Sequence, residues 1–426
     1  MIYRIDKICR AAACVTVCLL AVACARGPQP PVRSQRVVYG EQSARDRAMR
    51  TVEGRAIWVP RWSYRTPEDV RLIVDNCARV GFNIVFFQVR GNATAFYRSA
   101  IEPWAWELTS SGTATTGRDP GFDPLAVAIE QANLRRVELH AYMNVFPGWM
   151  GETPPPPEAG QLWTRHPEWF MVGRDGQKMA PRVSGTGGSV RQWYSFLNPA
   201  RPDVQDYVVS VFREVAERYD VDGIHLDYVR YPSEVGDFSY DETSLRRFRE
   251  ETGKTPDDAP DLWVRWRGKQ VSEVVRRIYD ECKKAKSHLV ISASVGRDPN
   301  TAREKLMQPA LEWMAAGKLD VACPMIYTSE AEVVARCVTE YVSRSSGRLV
   351  LAGLMAPGRN RQAPTKRAAS IRAVQLIEQI RIAQLAGAEG ISVFSYGALF
   401  PDHKPNEVAK ALTERPFRNK ARVPLP

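Results

Sequence analysis

Residues 220–232 read Asp-Val-Asp-Gly-Ile-His-Leu-Asp-Tyr-Val-Arg-Tyr-Pro, an apolar strand pattern that ends by presenting His225, Asp227 and Arg230. A carboxylate at that place carries a desolvation cost unless it is paired or used in chemistry. Asp227 is therefore the first candidate, as a proton donor, a nucleophile or a charge that stabilises a developing cation. Successive strand residues alternate faces, so His225 and Asp227 share a side. The same count pairs Gln88 with Arg90, groups His140, Tyr142 and Asn144, and joins Met325 with Tyr327 and Phe394 with Tyr396. Polar groups at the ends of different strands are how a parallel barrel builds a site, each strand delivering one group to a shared mouth. Each also has a purely structural role open to it: Arg90 as the partner of a buried Asp227, His140 and His225 as satisfied core histidines, Tyr327 and Tyr396 as packing rings. Trp58, Trp62, Trp104, Trp106, Trp149 and Trp163 fall in or beside the expected upper loops, and flat apolar rings suit the C–H faces of sugars.

Eight strand-like runs must position these groups: Arg55 to Pro60, Asn83 to Arg90, Val137 to Val145, Gly223 to Arg230, Leu289 to Val295, Val321 to Tyr327, Leu349 to Met355 and Gly390 to Tyr396. They alternate with helical patterns at Pro67 to Val80, Asp123 to Arg136, Pro202 to Tyr219, Leu262 to Ser287, Thr301 to Ala316, Ala331 to Ser343, Ala369 to Ala386 and Asn406 to Thr413. Strands this apolar do not suit a half-exposed sheet, so the alternation predicts an α/β fold, a closed (β/α)8 TIM barrel over residues 51–413. Long insertions are expected on the loops of its C-terminal face. One runs from Pro147 to Trp193, with a hairpin at Val172 to Gln177 and the glycine-rich Gly185-Thr186-Gly187-Gly188; the other covers residues 228–261. Residues 414–426 read as a surface coil.

The apolar fraction of 44% and charged fraction of 25% are those of an ordinary globular protein. The first 24 residues stand apart. Arg4, Lys7 and Arg10 precede a small, apolar run from Ala11 to Ala23, the layout of a secretion signal and too short to span a membrane. Leu20-Ala21-Val22-Ala23-Cys24 resembles a lipoprotein cleavage box, which makes Cys24 the expected lipidation site and membrane anchor, with residues 25–50 as a tether. The expected location is the periplasmic side of a membrane or the cell surface. Without the leader's three cations and one anion, the formal charge of +11 becomes +9, which favours anionic polymers. Four of the eight cysteines lie in the leader, and Cys77, Cys282, Cys323 and Cys337 show no metal-binding spacing. No phosphate-binding glycine loop or HExxH motif occurs, so neither cofactor nor metal is expected, and scattered Lys and Arg residues argue against a nucleic-acid partner.

The fragments Arg55-Ala-Ile-Trp-Val, Phe86-Phe-Gln-Val-Arg-Gly, His140-Ala-Tyr-Met-Asn, Arg165-His-Pro-Glu-Trp, Leu197-Asn-Pro-Ala-Arg-Pro, Asp222-Gly-Ile-His-Leu-Asp-Tyr-Val-Arg-Tyr-Pro, Pro324-Met-Ile-Tyr and Gly390-Ile-Ser-Val-Phe-Ser-Tyr resemble glycosyl hydrolase-like family 10 proteins. The resemblance covers about residues 50–413. It implies a glycosidase-type barrel with its principal carboxylate at Asp227, in a bacterial family often carried as lipoproteins, some members of which are linked to cleaving peptidoglycan glycan strands. Family members commonly place a second acidic residue directly after that position, where this chain has Tyr228. The stretch from Asp222 to Val229 with Met325-Ile-Tyr327 is also similar to family 18 chitinases, but Val229 stands where that family has its acid. That mechanism does not transfer whole, although Tyr327 remains placed to orient a reacting sugar.

Glycoside hydrolysis needs a proton donor to the leaving oxygen and a partner for positive charge at the anomeric carbon. An adjacent Arg90 or Arg230 would hold Asp227 ionised, which favours it as nucleophile or stabiliser. For the second carboxylate, Asp298 follows the fifth strand, while Glu234 and Asp237 lie on the loop after the fourth. Glu389 and Asp320 precede their strands and belong to the opposite, stabilising face. The expected catalytic set is Asp227, Tyr327 and Asp298, and the expected substrate contacts are Gln88, Arg90, His140, Asn144, His225, Arg230, Trp58 and Tyr396. The expected activity is hydrolysis of a cell-wall polysaccharide, with peptidoglycan glycan strands as the first choice. The alternative is a carbohydrate-binding lipoprotein on a barrel that has lost its chemistry.

Overall fold

A computed structural model of the chain describes residues 52–424, apart from 110–111, 152, 181–182, 185–189, 193, 233–235 and 358–365. The expected leader, tether and Cys24 lie outside the described residues, as do Glu234, Trp193 and the glycine-rich 185–188.

Eight parallel strands close into a barrel: β1 (Gly54–Val59), β2 (Ile84–Arg90), β3 (Glu138–Asn144), β4 (Gly223–Asp227), β5 (Val290–Gly296), β6 (Val321–Met325), β7 (Leu349–Met355) and β8 (Gly390–Phe394). Each pairs with its neighbours in chain order, and β8 returns to β1. This is the (β/α)8 TIM barrel that the alternation predicted. Capping chemistry fixes the helix starts. Thr66 and Asp69 cap Pro67–Val80 reciprocally, Asp123 caps Pro124–Arg135, and Gly81 ends the first of these helices at a φ of 106°.

Two apolar layers hold the barrel. The larger lies between strands and helices, with Ile57, Val85, Leu139, Ile224, Ile291 and Val393 fully or almost fully buried. The other fills the barrel interior with Ala56, Trp58, Ile84, Phe86, Tyr142, Val321, Cys323 and Leu351. Close packing inside requires Gly223, where a Cβ would lie 2.5 Å from Nδ1 of His140. All four cysteines beyond the leader are buried and unpaired.

Three expectations need correction. The pattern from Thr301 to Ala316 is two short helices, Pro299–Lys305 and Ala310–Ala315, because Met307 turns left-handed and Pro309 interrupts the ladder. The break sends buried Gln308 to the end of β5, where its side chain accepts from Gly296 N and donates to Ser294 O. The residues after Arg415 are docked beside β1. Phe417 is buried against Phe82, and Glu53 N donates to Arg422 O at 2.9 Å. Finally, β2 is also followed by a long connection, residues 91–123, in addition to the two expected insertions.

The insertion after β3 contains the expected hairpin, with Val172 bridged to Lys178 and Gly173 N donating to Gln177 O. Its Pro147–Trp149 and Ser195–Phe196 segments pair antiparallel, which returns the chain to the barrel mouth. The insertion after β4 carries a helix, Glu242–Thr252, started by the Asp241 side chain and stopped at Gly253.

Candidate active site

Register determines which strand residues share a level. Asn144 pairs with Asp227 across β3 and β4, Tyr142 with His225, and His140 with Gly223. Asp227 therefore sits at the C-terminal rim, His225 about 7 Å below it and His140 about 13 Å below at the usual strand rise.

Above the rim level is a cavity of about 210 Å³, into which Asp227 projects. Its wall combines Trp58 and Pro60, Arg61 and Trp62, Gln88, Tyr142, Tyr194, Tyr228, Arg230, Ser294, Met325, Tyr327 and Phe394. Among the described lining residues Asp227 is the one carboxylate, and it is 7% exposed. Its Oδ2 accepts from the Tyr142 hydroxyl at 2.7 Å, and its Oδ1 accepts from Tyr228 N at 2.7 Å. One Arg230 nitrogen lies 3.4 Å from Oδ1. All three partners donate, so the carboxylate is held as an acceptor aimed into the cavity. Tyr228 follows at a φ of 50°, a left-handed conformation that costs a non-glycine residue ~1–2 kcal/mol. That turn carries the chain out of β4 and brings the Tyr228 ring under the Arg230 guanidinium at 4.5 Å.

Burial and then the Asp227 charge push the Tyr327 hydroxyl well above its ordinary value, so it keeps its proton and can donate to a bound group. Tyr142 is raised well above its ordinary value by the same causes in the same order. Arg61 forms the opposite wall. Its Nε donates to Glu107 at 2.8 Å, one terminal nitrogen donates to the Tyr194 hydroxyl at 3.0 Å, and its backbone N donates to Gln88 Oε1. Burial lowers the Arg61 pKa, but Tyr194 and Glu107 outweigh it and the net shift is upward. Only glycine fits at 91, since a Cβ there would lie 2.5 Å from Arg61 Nε.

Of the residues expected at the site, Asp227, Tyr327, Gln88, Arg230 and Trp58 line this cavity. Asn144 is level with Asp227 but buried, accepting from Gln88 and donating to Gly91 O, so it braces the rim. Arg90 does not face Asp227. The pairing of β2 with β3 shifts between Gln88 and Arg90, which breaks the alternation and turns Arg90 outward. There it forms a buried ion pair with Glu102, whose Oε1 also accepts from Tyr207.

His140 lies too deep and contacts Glu138 at 3.1 Å. His225 is a satisfied core histidine: Nδ1 meets Ser292 Oγ at 2.8 Å, while Nε2 meets Trp58 Nε1 and Ser294 Oγ, both at 2.9 Å. Its pKa is held well below 6.5 by burial and then by His140, and the neutral ring fixes the Trp58 indole. Tyr396 falls beyond β8, starts a short helix and bonds Asn76 outside the barrel.

Asp298 is an exposed helix N-cap that accepts from Thr301 N at 2.7 Å, which lowers its pKa, so it is not a second site carboxylate. Asp237 is engaged by Arg267 and Tyr240. Of the tryptophans in the upper loops, Trp58 and Trp62 line the cavity; Trp149 is buried and Trp163 packs on Phe170. Arg61, Tyr194 and Tyr228 were missed as site residues. Arg61 and Tyr194 lie outside the strand alternation, and the residue type of Tyr228 gives no signal of its left-handed turn. Among the described residues, no three His, Cys, Asp or Glu side chains gather as a metal ligand set.

The glycosyl hydrolase-like 10 family model matches residues 53–350. Among curated proteins the chain is similar to glycosyl hydrolase YngK of Bacillus subtilis, 27% identical over 60% of this chain and 48% of that protein. It is also similar to glycosyl hydrolase DigH of Escherichia coli K12, 25% identical over 62% and 58% respectively. The chain thus spans about half the length of the curated relatives it matches. Among solved structures, the PgaB (BpsB) glycoside hydrolase domain from Bordetella bronchiseptica superposes with a TM-score of 0.59 at 14% identity, covering 83% of this chain and 97% of that one. The catalytic domain of β-amylase from Paenibacillus polymyxa gives 0.57 at 10% identity, covering 87% and 100%. Both share the fold. With the model matched from β1 into β7 and Asp227 inside the matched span, the chain belongs to the glycosyl hydrolase-like 10 family.

Proposed function

We propose that this protein is a glycoside hydrolase in which the cavity above Asp227 holds the sugar at the scissile bond. The observation that carries the reading is the carboxylate itself, set at the rim of a sugar-sized cavity with each oxygen fixed by a donor at 2.7 Å. In this role Asp227 acts as nucleophile or as the stabilising charge for the oxocarbenium-like centre. Tyr327 donates a hydrogen bond to the reacting sugar, and Trp58 and Trp62 offer flat faces to C–H surfaces. Trp62 is 59% exposed beside the mouth, as suits a platform for a neighbouring ring.

The proposed substrate is a bacterial cell-wall polysaccharide, peptidoglycan glycan strands in particular. The export-type leader, the lipoprotein-like Cys24 segment and the basic charge support that choice. A membrane-anchored, outward-facing protein is part of the same reading, and Cys24→Ala should release it from the membrane fraction.

Asp227→Asn, with an unchanged thermal midpoint, should lower release of soluble fragments from purified cell-wall glycan by about 10³-fold. Unchanged turnover would remove Asp227 from the chemistry. The second reading, a non-catalytic carbohydrate-binding protein, is favoured by the lack of a second carboxylate among the described lining residues. Saturable glycan binding with no product at any pH would select it.

A further inference from the structure

Arg230 has more hydrogen-bonding capacity than the described residues use. A guanidinium carries five N–H donors in a planar fork. Among the described residues a single terminal nitrogen reaches a protein acceptor, Asp227 Oδ1, at the long distance of 3.4 Å. That oxygen already accepts from Tyr228 N at 2.7 Å, and the other oxygen from Tyr142 at 2.7 Å. Asp227 is therefore satisfied without Arg230. The guanidinium is also largely withdrawn from water, with 13% of the side chain exposed, and its face is fixed over the Tyr228 ring. A desolvated cation held by one long contact to its anion is costly unless further acceptors complete its fork. The other cavity cation differs: Arg61 is neutralised by Glu107 at 2.8 Å and engaged by Tyr194.

We infer that Arg230 is a specificity-determining residue that binds a carboxylate carried by the substrate, so that the preferred glycan contains an acidic sugar next to the bond held over Asp227. This rests on the cavity being a sugar site. A planar carboxylate matches the guanidinium fork in two parallel hydrogen bonds. A single charge is also what the site can take. With Arg230 already set against the negative Asp227, a monoanion adds one negative charge to the pair, whereas a phosphate dianion adds two and the stronger repulsion in a partly dry cavity.

The test uses the intact protein and an acidic cell-wall oligosaccharide, the same oligosaccharide after reduction of its carboxylates to alcohols, and a phosphorylated counterpart. Calorimetry reads binding and fragment release reads turnover. The native protein should bind the acidic form at least about tenfold more tightly than the reduced form, and Arg230→Gln should bring the two within about twofold. Arg230→Lys should recover only part of the preference, since an ammonium lacks the fork. Equal binding of acidic and reduced forms by the native protein overturns the inference, as does an unaltered preference in Arg230→Gln or tighter binding of the phosphorylated form. A preserved binding preference with no fragment release would sink the hydrolase reading and leave this one standing.

Discussion

Removing the Tyr142 hydroxyl isolates what holds Asp227 in place. Tyr142→Phe deletes a charge-assisted hydrogen bond of ~1.5–3 kcal/mol, so kcat/KM should fall roughly 10–100-fold while the buried ring keeps its packing. A variant as active as the native protein would show that this donor has no part in the chemistry. Asp298 makes the contrasting case. Asp298→Ala should cost about 1 kcal/mol through the lost N-cap and leave turnover alone; a loss of activity beyond twofold would return it to the site. At this scale Asp227 was legible because a carboxylate ending an apolar strand has few explanations. Arg230 and Tyr327 were legible through their nearness to strand ends. Arg90 and Asp298 were misread because type and position resembled a site; Glu102, the partner of Arg90, is set by the fold, whereas Asp298 directly before Pro299 carries a local N-cap signal that outweighs its nearness to a strand end.

Among the elements, the strands transmitted their chemistry most faithfully where the alternation ran unbroken. In β4 it placed His225 and Asp227 on one inner face, but the sequence did not fix depth, and depth separates a core histidine from a ligand-binding one. His225 should reveal its role through pH. The folded barrel holds it well below 6.5, so between that depressed value and 6.5 the unfolded chain binds a proton that the folded chain does not. The stabilising contribution is then complete above about pH 6.5 and declines as pH falls below it. The denaturant midpoint should drop between about pH 7 and pH 5, and His225→Gln should flatten that drop. Parallel curves for the two proteins would contradict a neutral, satisfied His225. The shift in β2 and the break at Met307 and Pro309 were harder to read, because both are set by neighbours: β3 in one case, the end of β5 in the other.

For the whole molecule, eight alternating units were legible as a closed barrel since eight apolar strands, each followed by a helix, bury both faces and closing the sheet removes its edges. The C-terminal residues escaped notice because one aromatic residue among charges gives no periodicity. Phe417 is nonetheless buried against Phe82, with the Arg55 guanidinium 4.6 Å from its ring. Phe417→Ala should therefore destabilise the barrel by ~3–5 kcal/mol, and an unaltered melting temperature would show that this segment is not part of the fold. The account as a whole depends on a glycan reaching the Asp227 cavity with its reacting carbon over that carboxyl group. The most direct measurement is a crystal structure of Asp227→Asn with a bound cell-wall oligosaccharide. It should place an anomeric carbon about 3–3.5 Å from the residue 227 side chain, with Tyr327 donating to the same sugar; an oligosaccharide ordered elsewhere on the surface, with this cavity empty, would contradict it.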